Sequence, residues 1–297
     1  VKILAADIGG TVTKIGVCDE RGNIDQLKEY ATESYKGGPH VIKRLLDKMA
    51  EYDDFDAIAI STAGQVNTEE GYIVYANENI PDYTGMKIRE IVSNRFNKPV
   101  KVENDVNAAA LGEARFGAAQ PFNDFLCLTF GTGIGGAMVI NRQIYRGADG
   151  VAAEFGHIFT HPMSEMSKGA SKPFYETYAS TTALVRMAKQ ADPECVDGKL
   201  LFDKINKGSE KLNAILHSWV VEVSAGLASL IHIFNPPAII IGGGVMEQDY
   251  LVHLVEQQTK DLIMESFASV KILKASLGNK AGLLGAASLF IRCDNQS

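Results

Sequence analysis

"ILAADIGGTVTKIGVCDE", Ile3 to Glu20, decides how the rest of the chain is read. An apolar run meets an aspartate, two glycines and a threonine, and the residues after the turn alternate again like a strand. A glycine turn after a strand often opens a helix that holds a phosphate. Here no helix follows, and the stretch reads as a hairpin. "DFLCLTFGTGIGGAMVI", Asp124 to Ile140, repeats the plan of strand, glycine turn and strand. Its GxGxxG spacing matches a dinucleotide fingerprint, but that motif needs a helix starting at the turn, and "AMVIN" continues as a strand.

A third turn, "IGGGV" (Ile241–Val245), follows a buried run. Taken singly, each turn is accounted for as a tight turn needing positive φ. Taken together they have another use. Backbone N–H groups of two hairpin turns can surround phosphates, with Thr11 and Thr132 adding hydroxyl donors. Asp7, at the end of its strand, is placed to hold Mg²⁺ or its waters. The third turn lets a flat group such as adenosine approach the backbone.

Strands are expected at Lys2–Asp7, Lys14–Cys18 and Gln26–Ala31, and in "DAIAIST", "GYIVYAN" and "KPVKVEN". Helical spacing marks "HVIKRLLDKMAEY", Thr84–Phe96 and "NDVNAAALGEARFG". Later helices are expected over Glu176–Gln190, Gly208–Phe234 and Glu247–Ser266, with buried strands at "AIIIGGG" and "VKILKA". "AGLLGAASLFI" reads as a small-residue helix able to pack closely. The repeated strand–turn–strand plan predicts an α/β fold with a duplicated βββαβα unit in two lobes. The first covers residues 1–117, with a helix at about 281–297 packing back on it, and the second covers 118–280.

Net charge is −7, with 46% apolar and 22% charged residues, which argues against nucleic acid or an anionic membrane as the main partner. The four cysteines, Cys18, Cys127, Cys195 and Cys293, form no CxxC pair and suit a reducing compartment. A strand starts the chain, leaving no room for a signal peptide, and no apolar run approaches the ~18 residues of a membrane span. A cytoplasmic protein is expected.

"DIGGTVTK", "LTFGTGIGG", "IIIGGGV" and "NKAGLLGAA" resemble the two phosphate motifs, the adenosine motif and a connecting helix of the sugar kinase/Hsp70/actin ATPase superfamily. Within it, "VENDVNAAALGE" and "GADGVAAEFGH" resemble the ROK family (repressors, ORFs, kinases) over nearly the whole chain. The resemblance implies a two-lobed actin-like ATPase (ribonuclease H-like) fold with ATP and Mg²⁺ in an interlobe cleft. It assigns ATP binding to Asp7, Gly9, Gly10, Thr11, Lys14, Gly131, Thr132, Gly133, Gly242, Gly243 and Gly244. Asp7 would carry Mg²⁺ through water.

Asn104 and Asp105 sit at a strand-to-helix junction, where either residue type is a favoured helix cap. The resemblance gives Asp105 the role of base toward the attacking sugar hydroxyl and Asn104 that of a sugar ligand. It adds Gly64, Asn79, Glu154, His157 and Glu176 as sugar contacts. Glu154, His157 and Glu176, taken singly, are residue types more often solvated or structural.

Many ROK proteins carry a zinc site made of the GH histidine and three cysteines. Aligned on Glu176, this chain has Ser167, Gly169 and Phe174 at the cysteine positions, and His157 alone cannot form a four-ligand site. No structural zinc is expected, and the sugar pocket near the anomeric oxygen would be shaped differently. "LIHIFNPPAIIIGGGV" and "GNKAGLLGA" are also similar to bacterial β-glucoside kinases. The expected activity is ATP-dependent phosphorylation at the 6-hydroxyl of a hexose or β-glucoside, with glucokinase or N-acetylmannosamine kinase as alternatives. A ROK sugar-sensing regulator is disfavoured, because ROK repressors add an N-terminal helix-turn-helix and the phosphate strand here starts at Lys2. The resemblance further implies a homodimer.

Overall fold

The computed structural model describes residues 1–163 and 172–291. Val1–Pro121, Ile144–Ala152 and the chain from Asn279 form one compact unit, and Phe122–Gln143 with Ala153–Gly278 form another. Residues 144–152, which the sequence division placed with the second lobe, group with the first unit. Arg146 ties them there through a two-pronged ion pair to Glu103.

The first unit is built on strands β1 (Ile3–Ile8), β2 (Val12–Cys18), β3 (Ile24–Ala31), β4 (Ala57–Thr62), β5 (Gln65–Asn67), β6 (Tyr72–Tyr75) and β7 (Val100–Asn104). Its helices are α1 (Gly38–Met49), α2 (Ile88–Phe96) and α3 (Asp105–Phe116). The main sheet runs β3-β2-β1-β4-β7, and β5 and β6 make a separate ribbon. β1 pairs antiparallel with β2 and parallel with β4, so the chain must cross over through α1 to add β4. Leu4, Ala6 and Ile8 of β1, Ile58 and Ile60 of β4 and Leu45 of α1 share one core.

The second unit repeats the plan. β8 (Phe125–Phe130), β9 (Ile134–Ile140), β10 (Gln143–Ile144), β11 (Ala238–Gly242) and β12 (Lys271–Lys274) form a sheet in the order β10-β9-β8-β11-β12. As in the first unit, the leading strand pairs antiparallel with the next and parallel with a later one. The helices are α4 (Tyr175–Ala179), α5 (Thr181–Ala191), α6 (Gly198–Asn206), α7 (Glu210–Phe234) and α8 (Asp249–Leu262), and α9 (Ala281–Ser288) returns to the first unit.

Several elements differ from expectation. The helix expected over Glu176–Gln190 breaks at Ser180, whose backbone is extended (ψ 164°). Ser180 Oγ accepts from Ala183 N, and its carbonyl accepts from the Trp219 indole, so tertiary bonds offset the lost helical one. α6 is absent from the sequence reading. α7 is long and apolar enough to cross a membrane by length and composition, contrary to the reading that no run approached that size. It serves as a core helix, with Leu216, Trp219, Val223 and Leu227 packed in the second unit's cluster. α9 ends at Ser288, and residues 292–297 lie outside the described residues.

α9 is built from small residues, and its span Ala281–Ala287 is wholly buried. A Cβ on Gly285 would stand 1.6 Å from the Ala108 carbonyl oxygen of α3. One on Gly282 would stand 2.6 Å from the Asp7 carboxylate. Two glycines on one helix therefore let it lie against both α3 and the end of β1.

Candidate active site

In the first unit the β1–β2 turn is pinned from outside. Gly9 N donates to Val12 O (3.2 Å), while Thr32 donates from its hydroxyl to Gly9 O (2.7 Å) and from its N–H to Thr11 O (2.8 Å). Gly10 and Thr11 remain exposed at the tip. Positive φ is not what the turn needs, since neither Gly9 nor Gly10 has it. Glycine at position 9 is required by closeness, because a Cβ there would lie 2.8 Å from Val12 O.

Asp7 and Lys14 are cross-strand partners, with Lys14 Nζ 3.9 Å from Asp7 Oδ2. The Ser61 hydroxyl, on the neighbouring strand β4, donates to Asp7 Oδ1 at 2.7 Å. Burial raises the Asp7 carboxyl above its ordinary range, against the opposing pull of Ser61 and Lys14. A fixed carboxylate at a strand end, in a space that only glycine at 282 leaves open, suits a hard cation or its waters.

Asn104 ends β7 and caps α3. Its Oδ1 accepts from Val106 N (2.9 Å) and Asn107 N (3.1 Å). Its Nδ2 donates to Gly64 O (3.0 Å) and to Asp105 Oδ1 (2.9 Å). The two donors and two acceptor positions of the amide are thus filled, and a sugar contact would have to exchange for one of these bonds. Gly64 holds φ 95°, and its carbonyl joins the loop after β4 to the Asn104–Asp105 corner. Asn79 lies exposed in the turn after β6, its N–H bound to Asn77 Oδ1.

Asp105 is oriented through Oδ1, which accepts from Val106 N and Asn104 Nδ2. Burial first, and the charge of Asp7 second, push its carboxyl up to about 6, against the opposing hydrogen bonds from Val106 and Asn104. A carboxylate oriented through one oxygen, with its proton affinity raised, is suited to take a proton from a hydroxyl.

In the second unit the β8–β9 turn closes through Gly131 N to Gly133 O (2.9 Å). Thr181 braces it, donating to Gly131 O from its N–H and to Phe130 O from its hydroxyl. Gly131 and Thr132 are exposed at the tip. Glu176 reaches this turn, for its Oε2 accepts from Ile134 N at 3.2 Å, and a Cβ on Gly133 would meet that oxygen at 2.4 Å. Sequence reasoning placed Glu176 on the sugar and did not foresee this contact. Its other oxygen lies 3.9 Å from His157 Nε2, and Glu154 Oε2 lies 3.6 Å from His157 Nδ1. Ala153 precedes Glu154 with φ 68°, a left-handed backbone that costs a residue with a Cβ roughly 1–2 kcal/mol.

The His157 ring packs edge-on against Phe174 (5.1 Å between centroids), which in turn packs on Phe159 (5.2 Å). Phe159 and Phe174 also form a β-bridge, which joins the His157 segment to the start of α4. Ser167 and Gly169, the other two positions compared with zinc cysteines, lie outside the described residues. At the third turn Gly243 has φ 108° and passes so close to β8 that a Cβ would lie 2.1 Å from Phe130 O. Gly242 is buried and Gly244 exposed.

The ROK family model matches residues 3–293. A glucokinase of Thermotoga maritima is 32% identical, over 97% of each chain. A β-glucoside kinase of Listeria monocytogenes is 31% identical, covering 100% of this chain and 99% of the relative. The crystal structure of a ROK family glucokinase from Streptomyces griseus in complex with glucose and AMPPNP is similar with a TM-score of 0.82 at 35% identity, over 97% of this chain and 99% of that one.

Proposed function

The chain belongs to the ROK family, and from that premise we propose that it is an ATP-dependent kinase for the 6-hydroxyl of a hexose or a β-glucoside. The observation that carries the reading is Asp105, fixed through Oδ1 at the start of α3 with the other oxygen left to a substrate hydroxyl. Asp105 accepts the hydroxyl proton as that oxygen attacks the terminal phosphorus of ATP, and ADP leaves. Phosphoryl transfer asks mainly for positioning and charge stabilisation, so an ordinary carboxylate suffices as base.

Gly10, Thr11, Thr132 and Gly133 offer backbone and hydroxyl donors of the kind phosphate oxygens accept, and Gly242, Gly243 and Gly244 leave room for adenosine. Asp7 would hold Mg²⁺ or its waters, with Ser61 fixing the carboxylate. When bound, the ion neutralises charge on the phosphate oxygens. Glu154, His157 and Glu176 form one chain of polar groups suited to sugar hydroxyls. Asn79 and Gly64 belong to the same reading.

The β-glucoside preference rests on Phe174, whose ring packs edge-on against His157 at a position where many ROK proteins carry a zinc cysteine. We infer that the enzyme works without structural zinc. The glucokinase relatives favour glucose itself as the second reading. Cys18, Cys127 and Cys195, buried and outside any disulfide, and the net charge of −7 support a cytoplasmic setting with a small sugar as partner, rather than nucleic acid or membrane. A homodimer is part of the same reading.

The deciding experiment is ADP release measured with glucose, cellobiose, gentiobiose, mannose and N-acetylmannosamine in turn. Turnover is expected with each β-linked disaccharide at an efficiency at least equal to glucose. Good use of glucose with the disaccharides ignored would overturn the β-glucoside preference, and no sugar-dependent release at all would overturn the kinase.

The base also sets a pH limb. Asp105 acts ionised, and its carboxyl lies at about 6. kcat/KM is therefore expected to fall about tenfold per pH unit below that value and to level off above it. A limb centred near the ordinary aspartate value, about 4, would contradict the burial-driven shift.

A further inference from the structure

Glu103 is charged and only 1% exposed, yet neither the proton transfer nor the sugar contacts described above use it. It precedes Asn104 and Asp105 on β7. Its Oε1 accepts from the backbone N–H of Asn104 (3.0 Å), from Asn107 Nδ2 (3.2 Å) and from Arg146 Nη1 (3.2 Å), and its Oε2 accepts from Arg146 Nη2 (2.5 Å). One carboxylate thus grips both sides of the cap: the peptide of Asn104 and the first turn of α3. The cap residue in turn holds Asp105 Oδ1.

Arg146 is itself at a neck. Its carbonyl accepts from Ala152 N at 3.1 Å, which closes the loop 146–152, and Gly147 and Gly150 turn that loop with positive φ. Two residues after Ala152 the chain reaches Glu154. A buried carboxylate left without its cation is expensive, which sets the guanidinium in place, and the fork fixes the angle as well as the distance.

We propose that Glu103 and Arg146 are positioning residues for the transfer. The pair sets the Asn104–Asp105 corner and fastens the loop 146–152 to it. The inference rests on the sugar-kinase reading and assigns that site two residues that touch no substrate.

The test must separate positioning from plain stability. Replacing one member strands a buried charge, whereas removing both charges together is often close to neutral for folding. The Glu103→Gln/Arg146→Met double variant is therefore expected to melt within a few degrees of the unaltered protein. Its KM for sugar should rise about tenfold or more and its kcat fall by a similar factor, with KM for ATP unchanged, as misplacement of a reacting group by an ångström demands. A folded double variant with unaltered sugar KM and kcat would make the pair merely structural and end the proposal. Should that variant not fold, Arg146→Lys keeps the charge and loses the fork. It is expected to raise sugar KM severalfold, and unaltered kinetics would again overturn the idea. Failure of the unaltered protein to use any sugar counts against the kinase reading alone. Amide hydrogen exchange then tests the pair, and unchanged exchange over residues 103–108 in a folded variant would sink it.

Discussion

Asp105→Asn is expected to lower sugar-dependent ADP release by about 10²–10⁴-fold, the usual worth of a positioned general base, without loosening the fold. The amide is nearly isosteric with the carboxylate. Its oxygen can keep the bonds from Val106 N and Asn104 Nδ2, so the corner at the start of α3 stays built. What disappears is the second oxygen, replaced by an NH₂ that cannot accept a proton. Sugar binding should persist, since Glu154, His157 and Glu176 are untouched.

Stability supplies the control. Burial and Asp7 raise the Asp105 carboxyl to about 6, above its unfolded value of 3.8, so the native state binds the proton more tightly than the unfolded chain. The ionised group therefore opposes folding, and its cost grows as pH rises from about 4 to about 6 and is fully present at neutral pH. Asparagine removes that cost, and the variant should melt no lower than the unaltered protein at pH 7. Near-normal turnover would remove Asp105 from the role of base. A melting point several degrees lower would show that its ionised carboxylate is instead needed by the fold.

The hairpins were legible because each rests on local alternation: strand, glycine turn, strand, at Ile3–Cys18 and again at Phe125–Ile140. Two such hairpins in one chain were enough to predict a duplicated βββαβα unit, and the strand order that both sheets share came from the structure. Contacts made at long range were not legible. In "VKVEN" nothing local marks Glu103 as buried, and it is so because its partner, Arg146, arrives from another segment. Ser61 in "AIAIST" gives no sign that its hydroxyl serves Asp7 on the neighbouring strand. Ser180 likewise breaks a run of good helix formers for the sake of bonds to α7 and α5. In the first two turns Gly9 and Gly133 exclude a side chain through their neighbours and not through positive φ, while an added Cβ on Gly10 or Gly131 would meet nothing within 4 Å. Asn104 was read both as cap and as ligand, and the structure shows the cap directly.

Gly285→Ala should be the most damaging single methyl group in the first unit. A Cβ there would lie 1.6 Å from the carbonyl oxygen of Ala108 and 2.3 Å from its carbon, distances at which one helix has to move. Overpacking of a core ordinarily costs about 1–3 kcal/mol, and more when side chains cannot swing aside. Here the obstacle is backbone. α3 cannot retreat easily, because its first turn is fastened by Asn104 to Gly64 and by Asn107 to Glu103. α9 cannot slide either, since Gly282, one turn earlier, is already at the limit of approach to Asp7. The loss should reach about 3 kcal/mol or more, a fall of roughly five degrees or more in Tm for a chain of this size. Whatever movement relieves the clash reaches Asp105 and Asp7 together, so the surviving folded fraction should turn over slowly even below its melting point. Gly198→Ala is the matched control, for Gly198 starts α6 with nothing within 4 Å of an added Cβ. It should leave both Tm and turnover unchanged or slightly raise the former. If Gly285→Ala melts with the unaltered protein, α3 and α9 do not lie as close as described, and the corner that holds Asp105 must be supported from elsewhere.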